Sequence, residues 1–133
     1  MQYLQGILGK EGRVKMKISK IKELLEAEVL CGEELIEGEV HSACGCDMMS
    51  DVLAFVKDQA VLLTGLCNPQ VVRTATMMYM RCIVFVRGKR PSGDVIELAR
   101  EAGIVVLASN MRMYAACGVL YLNGLHAGEC SNG

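Results

Sequence analysis

This chain has neither an excess of charge of one sign nor a long apolar run. Its formal net charge of −1 gives no electrostatic attraction to nucleic acid or to an anionic membrane surface. No apolar run approaches the roughly 20 residues that a membrane-spanning helix needs, and the N-terminus lacks the apolar core of a signal peptide. We therefore expect a cytoplasmic protein that binds neither nucleic acid nor a membrane.

Aromatic residues are also scarce, at 5% of the sequence, and tryptophan is absent. The hydrophobic fraction of 52% therefore consists mainly of Val, Ile, Leu, Ala and Met, a mixture that suits buried parallel strands covered by helices. A length of 133 residues is enough for one domain with a sizeable core. The seven cysteines are an odd number and most lie in apolar runs, so we expect reduced thiols that serve mostly as small core residues.

Apolar runs alternate with segments of helical periodicity from about residue 16 onwards. Strands are predicted at residues 28–31, 38–43, 60–64, 82–86 and 104–108, and the main helices at 52–56, 69–80, 92–103 and 111–121. Strands that are almost continuously apolar and alternate with helices predict a three-layer α/β/α fold with a mostly parallel sheet. We expect an N-terminal extension at 1–15, one α/β domain at 16–125 and a disordered tail at 126–133.

Small or polar residues follow the predicted strands of the parallel sheet. In an open parallel sheet, ligands bind at the carboxyl ends of the strands, so these turns predict one shared pocket for a small polar ligand such as a nucleotide. Arg87 is the strongest candidate to bind an anion, with Lys89 and Arg90 close by. The predicted ligand-binding residues are Asp47, Ser50, Asp51, Thr64, Gly65, Asn68, Arg87, Gly88 and Ser109.

The turn at residues 44–52 allows several interpretations. Asp47 can cap the following helix, where an acidic residue suits the helix dipole. Asp47 and Asp51 could form a general acid–base pair, but no His or Lys close in sequence could activate a nucleophile, so we predict no catalytic residue and no enzyme.

Two cysteines in the same turn raise the alternative of a metal site. Cys44 and Cys46 face one side if the chain is extended there, and Cys67 follows the next strand. A zinc ion or an iron–sulfur cluster needs three or four such ligands, and the chain has no C-x-x-C pair. We therefore expect no cofactor and keep zinc or an iron–sulfur cluster on Cys44, Cys46 and Cys67 as the alternative.

Four short motifs resemble the DRTGG domain, which is similar to the N-terminal domain of HPr kinase/phosphorylase. They are the segment D-M-M-S-D-V at 47–52, Thr64-Gly65 leading to Asn68, Val86-Arg87-Gly88, and the segment G-V-L-Y at 118–121. The resemblance covers about residues 16–125. The chain departs from the name-giving motif, since Cys67 and Asn68 fall near its Asp-Arg position and residues 86–88 near its Thr-Gly-Gly position.

The resemblance implies a non-catalytic regulatory module that is typically a homodimer. Stand-alone members are often encoded near iron-only hydrogenases, which implies an enzyme of that kind as a partner. The methionine-bearing helices, with Met77, Met78, Met80, Met111 and Met113, offer apolar surface for a second subunit or for a docking enzyme. A protein-interaction module thus remains a further alternative.

Overall fold

The computed structural model of the chain describes residues 15–56 and 59–127, without the side chain of Phe55. The strands are β1 (Met16–Lys17), β2 (Glu28–Cys31), β3 (Glu39–Val40), β4 (Ser42–Gly45), β5 (Ala60–Thr64), β6 (Cys82–Phe85) and β7 (Val105–Ala108). The helices are α1 (Ile18–Leu24), α2 (Met49–Phe55), α3 (Pro69–Met77), α4 (Gly93–Ala102) and α5 (Met113–Leu122), and a 3-10 turn spans Glu33–Leu35. No helix in these ranges is long and apolar enough to cross a membrane.

Five of the strands form one sheet in the order β2-β7-β6-β5-β4. Strands β4, β5, β6 and β7 are parallel to their neighbours, and β2 adds an antiparallel edge beside β7. All residues of β5, β6 and β7 are buried, which explains why these strands, apart from Thr64 at the end of β5, are continuously apolar in sequence instead of alternating. The predicted mostly parallel α/β architecture is confirmed.

The core has two halves, one on each face of the sheet. On one face, Ile21 and Leu25 from the α1 region and Leu120 from α5 pack against alternate strand residues such as Leu63 and Val84. On the other face, α2, α3 and α4 cover Leu62, Ile83 and Phe85 of the same strands. The protein therefore has the three layers that the sequence predicts.

One detail of the sheet differs from the sequence-based prediction. The single strand predicted at 38–43 is divided at His41, so that β3 pairs with β1 in a separate two-stranded ribbon while β4 forms the edge of the main sheet. Val40 of β3 is fully buried, and the His41 N–H at the division donates to the carbonyl of Gln59.

The C-terminal end of the domain also extends further than expected. Although the predicted tail begins at residue 126, the carbonyl of His126 accepts a hydrogen bond from Ala43 N at 2.9 Å. The His126 ring stacks on Tyr121, with 4.1 Å between ring centroids. Residues 128–133 of the predicted tail, and residues 1–14 of the predicted extension, lie outside the described parts of the chain.

The connections after the strands diverge at one point of the carboxyl edge. The helices that follow β4, β5 and β6 all lie on one face, whereas α5, which follows β7, lies on the opposite face. Loops that leave adjacent strands towards opposite faces open a crevice, and such topological switch points are where open α/β sheets bind ligands. In this fold the switch point lies between β6 and β7.

Candidate functional site

Asp47 lies just after β4 and reaches sideways to the end of β5. Its Oδ1 accepts hydrogen bonds from Thr64 Oγ1 and from Gly65 N, each at 2.8 Å. These two hydrogen bonds, together with the neighbouring Arg87, lower the pKa of the Asp47 carboxyl, the Gly65 N–H being the largest cause. The carboxylate is therefore ionised at neutral pH and fixed to the neighbouring strand.

The predicted role of Asp47 as a helix cap is wrong. The N-cap of α2 is Met48, and no side chain caps this helix. The carboxylate lies at the parallel neighbour β5 because the buried hydroxyl of Thr64 and the free N–H at the strand end both need an acceptor.

Arg87 occupies a strained turn at the end of β6. It has φ of +62° and is followed by Gly88 with φ of +72°, and Lys89 N closes the turn on the carbonyl of Val86 at 3.1 Å. A left-handed conformation is unfavourable for a residue other than glycine, and such strain clusters at functional sites. Hydrogen bonds from Arg87 N to Met111 O and from Gly88 N to Ser109 O hold the turn against the end of β7.

The Arg87 guanidinium lies over Gly65 and beside Asp47. A Cβ at position 65 would come within 2.8 Å of Arg87 Cζ, so only glycine leaves room for the guanidinium there. Arg87 Nη1 is 3.9 Å from Asp47 Oδ2, and the two side chains are 43% and 46% exposed. A pair this long and this exposed is weak, and among the described residues no other group bonds to the guanidinium, so most of its five donors are available to an anion.

Three other predicted ligand-binding side chains already have partners within the protein. Ser109 is buried, and its hydroxyl donates to Leu25 O at 2.7 Å and accepts from Met111 N. Thr64 is fully buried, and besides donating to Asp47 it accepts from Leu66 N. Asn68 caps α3 by accepting from Gln70 N. These groups support the edge of the sheet.

Ser50 and Asp51 lie exposed in the first turn of α2. Among the described residues, no hydrogen bond or ion pair joins them to Asp47 or Arg87. The structure therefore brings together Asp47, Thr64, Gly65 and Arg87.

The three thiols of the alternative metal site are partly buried on the face covered by α2, α3 and α4. Burial is the main reason why the pKa of Cys44 rises to about 11 and that of Cys67 also rises. Cys46 Sγ lies 3.3 Å from the carbonyl oxygen of Met48. Metal ligation requires thiolates, and the described residues contain no group of three His, Cys, Asp or Glu side chains that could hold a metal ion.

A cavity of about 150 Å³ opens on the other side of the Arg87–Gly88 turn, at the switch point between β6 and β7. Because β2 is antiparallel, its first residues lie at this edge and line the cavity too. Only Gly88 belongs to the predicted set of ligand-binding residues. Nothing in the sequence indicates that the start of β2 lies close to residues that follow it in the chain by 60 to 80 positions. The lining residues are Glu26, Ala27, Glu28, Gly88, Arg90, Ala108 and Asn110.

Comparison with known families decides what kind of domain this is. The profile described as "DRTGG domain" matches residues 20–120, well over half of the chain. The chain belongs to the DRTGG domain family. A comparison with curated protein sequences gives no match.

A solved structure supports the same assignment at the level of the fold. This DRTGG domain is similar to the CBS and DRTGG domains of the regulatory region of a Clostridium perfringens pyrophosphatase, complexed with the activator diadenosine tetraphosphate. The TM-score is 0.63 at 18% sequence identity, and the match covers 78% of this chain and 45% of that one. The chain thus spans less than half the length of that regulatory region.

Proposed function

We propose that this DRTGG domain is a non-catalytic regulatory domain that senses a small anionic ligand at the carboxyl edge of its sheet. The observation that carries the proposal is Arg87, whose backbone is strained and whose guanidinium is held over Gly65 with most of its donors free. Strain of this kind persists only where the surrounding structure imposes it, here through the hydrogen bonds to Met111 and Ser109.

The nucleotide activator of the similar regulatory region supports a nucleotide as the ligand class. A nucleotide carries phosphate oxygens that match the planar fork of an arginine. Asp47 lies beside the guanidinium but pairs with it only weakly, so a phosphate can take the Arg87 N–H groups without breaking a strong ion pair.

We also propose that two copies of the chain associate through α5. This helix has no charged residue among its ten positions. Tyr114, Tyr121 and Leu122 are 92%, 57% and 82% exposed, and among the described residues no atom lies within 4 Å of a Cβ placed on Gly118. A helix that is apolar on all sides is normally buried, and an uncharged stripe with a glycine in it suits close contact with its own copy.

A thermal-shift titration with nucleotides and phosphometabolites tests the sensing function. A ligand that binds only the native state stabilises it, by about 2.7 kcal/mol at a concentration of 100 times Kd. We expect at least one phosphate-bearing compound to raise Tm in the unaltered protein, and Arg87→Ala to abolish the rise.

Arg73→Ala is the matched control, because Arg73 is an exposed arginine on α3, away from the strand ends. This variant should respond to the ligand as the unaltered protein does. The proposal fails if no compound raises Tm, or if Arg87→Ala and Arg73→Ala respond equally.

A further inference from the structure

We propose that the cavity between β6, β7 and the start of β2 binds the hydroxyl-bearing sugar of the same ligand whose phosphate lies at Arg87. This inference rests on the proposed function and adds the chemical class of the ligand, a phosphorylated sugar such as the ribose 5′-phosphate part of a nucleotide. Arg87 and Gly88 are consecutive, so one turn borders both the guanidinium and the cavity.

The charges around the cavity exclude the other simple ligand classes. Two carboxylates, Glu26 and Glu28, would repel a phosphate placed inside it. The guanidinium of Arg90 also lines the cavity and is paired with Glu28, so a metal cation would meet a fixed positive charge. A neutral group that both donates and accepts hydrogen bonds fits this mixture, and vicinal hydroxyls are such a group.

Two of the polar side chains have free hydrogen-bonding capacity. Within the described parts of the chain, the side chains of Glu26 and Asn110 form no hydrogen bond or ion pair, whereas Glu28 and Arg90 are bound to each other. A carboxylate that accepts from a ribose hydroxyl is also how dinucleotide-binding sheets recognise the sugar at the equivalent edge. We therefore assign the hydroxyl contacts to Glu26 and Asn110.

The size of the cavity agrees with a sugar ring. A cavity of about 150 Å³ is the size that accommodates a single ring such as benzene. That space admits a pentose ring but not an entire nucleotide, so the phosphate must lie outside it. The adjacent Arg87 provides the place.

The conformation of Glu26 is itself unfavourable. Helix α1 ends in a Schellman motif, with Ala27 N bonded to Lys22 O and Glu26 N bonded to Glu23 O, and Glu26 takes the left-handed position with φ of +50°. Glycine is the usual residue there. Replacing Glu26 with glycine should therefore stabilise the fold while it removes a ligand contact, a combination that a purely structural residue would not produce.

Calorimetric titration of the whole chain with AMP and with 2′,3′-dideoxy-AMP tests the inference. We expect AMP to bind about tenfold or more tightly than its dideoxy analogue, since each hydrogen bond to a charged group contributes substantially. Glu26→Gly should lower the affinity for AMP towards that for the analogue, with Asn110 retaining part of the difference, while raising Tm without ligand by a few degrees.

Tyr79→Gly is the matched control. Tyr79 has φ of +57° in the Schellman motif that ends α3, is 81% exposed and does not line the cavity. The Tyr79→Gly substitution should raise Tm similarly and leave the AMP affinity unchanged. Equal binding of AMP and its analogue, or an unaltered AMP affinity in Glu26→Gly, overturns the inference. If AMP does not bind while another phosphate compound binds through Arg87, the sugar assignment falls and the sensing function stands.

Discussion

At the scale of single residues, the buried hydroxyl of Thr64 explains the conformation of Asp47. Thr64 is fully buried and donates to Asp47 Oδ1, which also accepts from Gly65 N. Asp47→Ala removes the acceptor and leaves a buried hydroxyl unsatisfied, which costs about 1–3 kcal/mol. We expect urea unfolding at neutral pH to show a loss of that size.

The pH dependence of stability distinguishes the contribution of the Asp47 charge from that of its hydrogen bonds. The folded pKa of Asp47 is lowered, so the stability that its charge adds is fully present above the ordinary aspartate pKa of about 3.9. That contribution is lost as pH falls through the lower folded value. Asp47→Asn, which keeps an acceptor oxygen, should be less stable than the unaltered protein at pH 7, and the difference should shrink as the pH falls below the ordinary aspartate pKa of about 3.9. A difference between the two that is constant over this range would contradict the assignment.

The residues of the site were only partly predictable, because some of its contacts join residues that are far apart in sequence. Gly65 and Arg87 are recognisable from sequence because each follows an apolar strand that ends at the edge of the sheet. The contact from Asp47 to Thr64 spans 17 residues and depends on β4 being the parallel neighbour of β5, which no local pattern encodes. The same holds for Glu28 and Arg90, which are 62 residues apart.

At the scale of elements, four helices end in a Schellman motif with a residue in the left-handed conformation. The sequence indicates only two of these four helix ends. Helices α4 and α5 are followed by Gly103 and Gly124 with φ of +74° and +101°, where glycine is the expected residue. Helices α1 and α3 close the same pair of hydrogen bonds with Glu26 and Tyr79, which carry no such signal. Sequence reasoning accordingly extends the helix over 69–80 to Met80, three residues beyond the observed end at Met77.

The antiparallel direction of β2 was likewise hidden from sequence. The strand is short, and its residues Val29 and Leu30 are partly buried, so its composition does not distinguish an antiparallel edge from a parallel one. Its direction is set by α1, whose end delivers the chain to the carboxyl edge beside Ala108.

The contact between β4 and α5 depends on the small size of Gly45. A Cβ at position 45 would lie 2.5 Å from Cys117 Sγ and 3.2 Å from Met113 Sδ. Gly45→Ala should therefore push α5 away from the sheet and destabilise the fold by about 1–3 kcal/mol, measured by urea unfolding.

A second substitution tests whether the clash between a Cβ at position 45 and Cys117 causes the loss of stability. Adding Cys117→Ala to Gly45→Ala removes the nearest atom, so the double variant should lose less stability than the two single changes combined. Gly93→Ala is the control, since among the described residues no atom lies within 4 Å of a Cβ there. Strict additivity of the two changes would contradict the proposed contact.

At the scale of the whole molecule, the two faces of the sheet differ in how well they are covered. Three helices cover one face, while α1 and α5 cover the other, and no described residue covers the outer side of α5 at Tyr114 and Leu122. The exposed stripe consists of Tyr114, Ala115, Tyr121 and Leu122, with the half-buried Gly118 between them. Because the N-terminus of α5 directly follows the carbonyl of Met111, to which Arg87 N donates, this stripe is structurally continuous with the proposed ligand-binding edge.

Sedimentation velocity over a range of protein concentrations tests whether this stripe joins two copies. We expect a dimer for the unaltered protein and a monomer for Leu122→Lys, because a lysine on a buried, uncharged stripe would lack a partner and be expensive to desolvate. Met77→Lys places the same charge on the exposed methionine of α3, which is 58% exposed, and should leave the dimer intact. If Met77→Lys dissociates the dimer and Leu122→Lys does not, the interface is on α3, and α5 must then be covered by some other partner. If the stripe does join two copies, the ligand edges of both subunits are linked through α5, and a ligand that orders the Arg87 turn should also shift the monomer–dimer equilibrium.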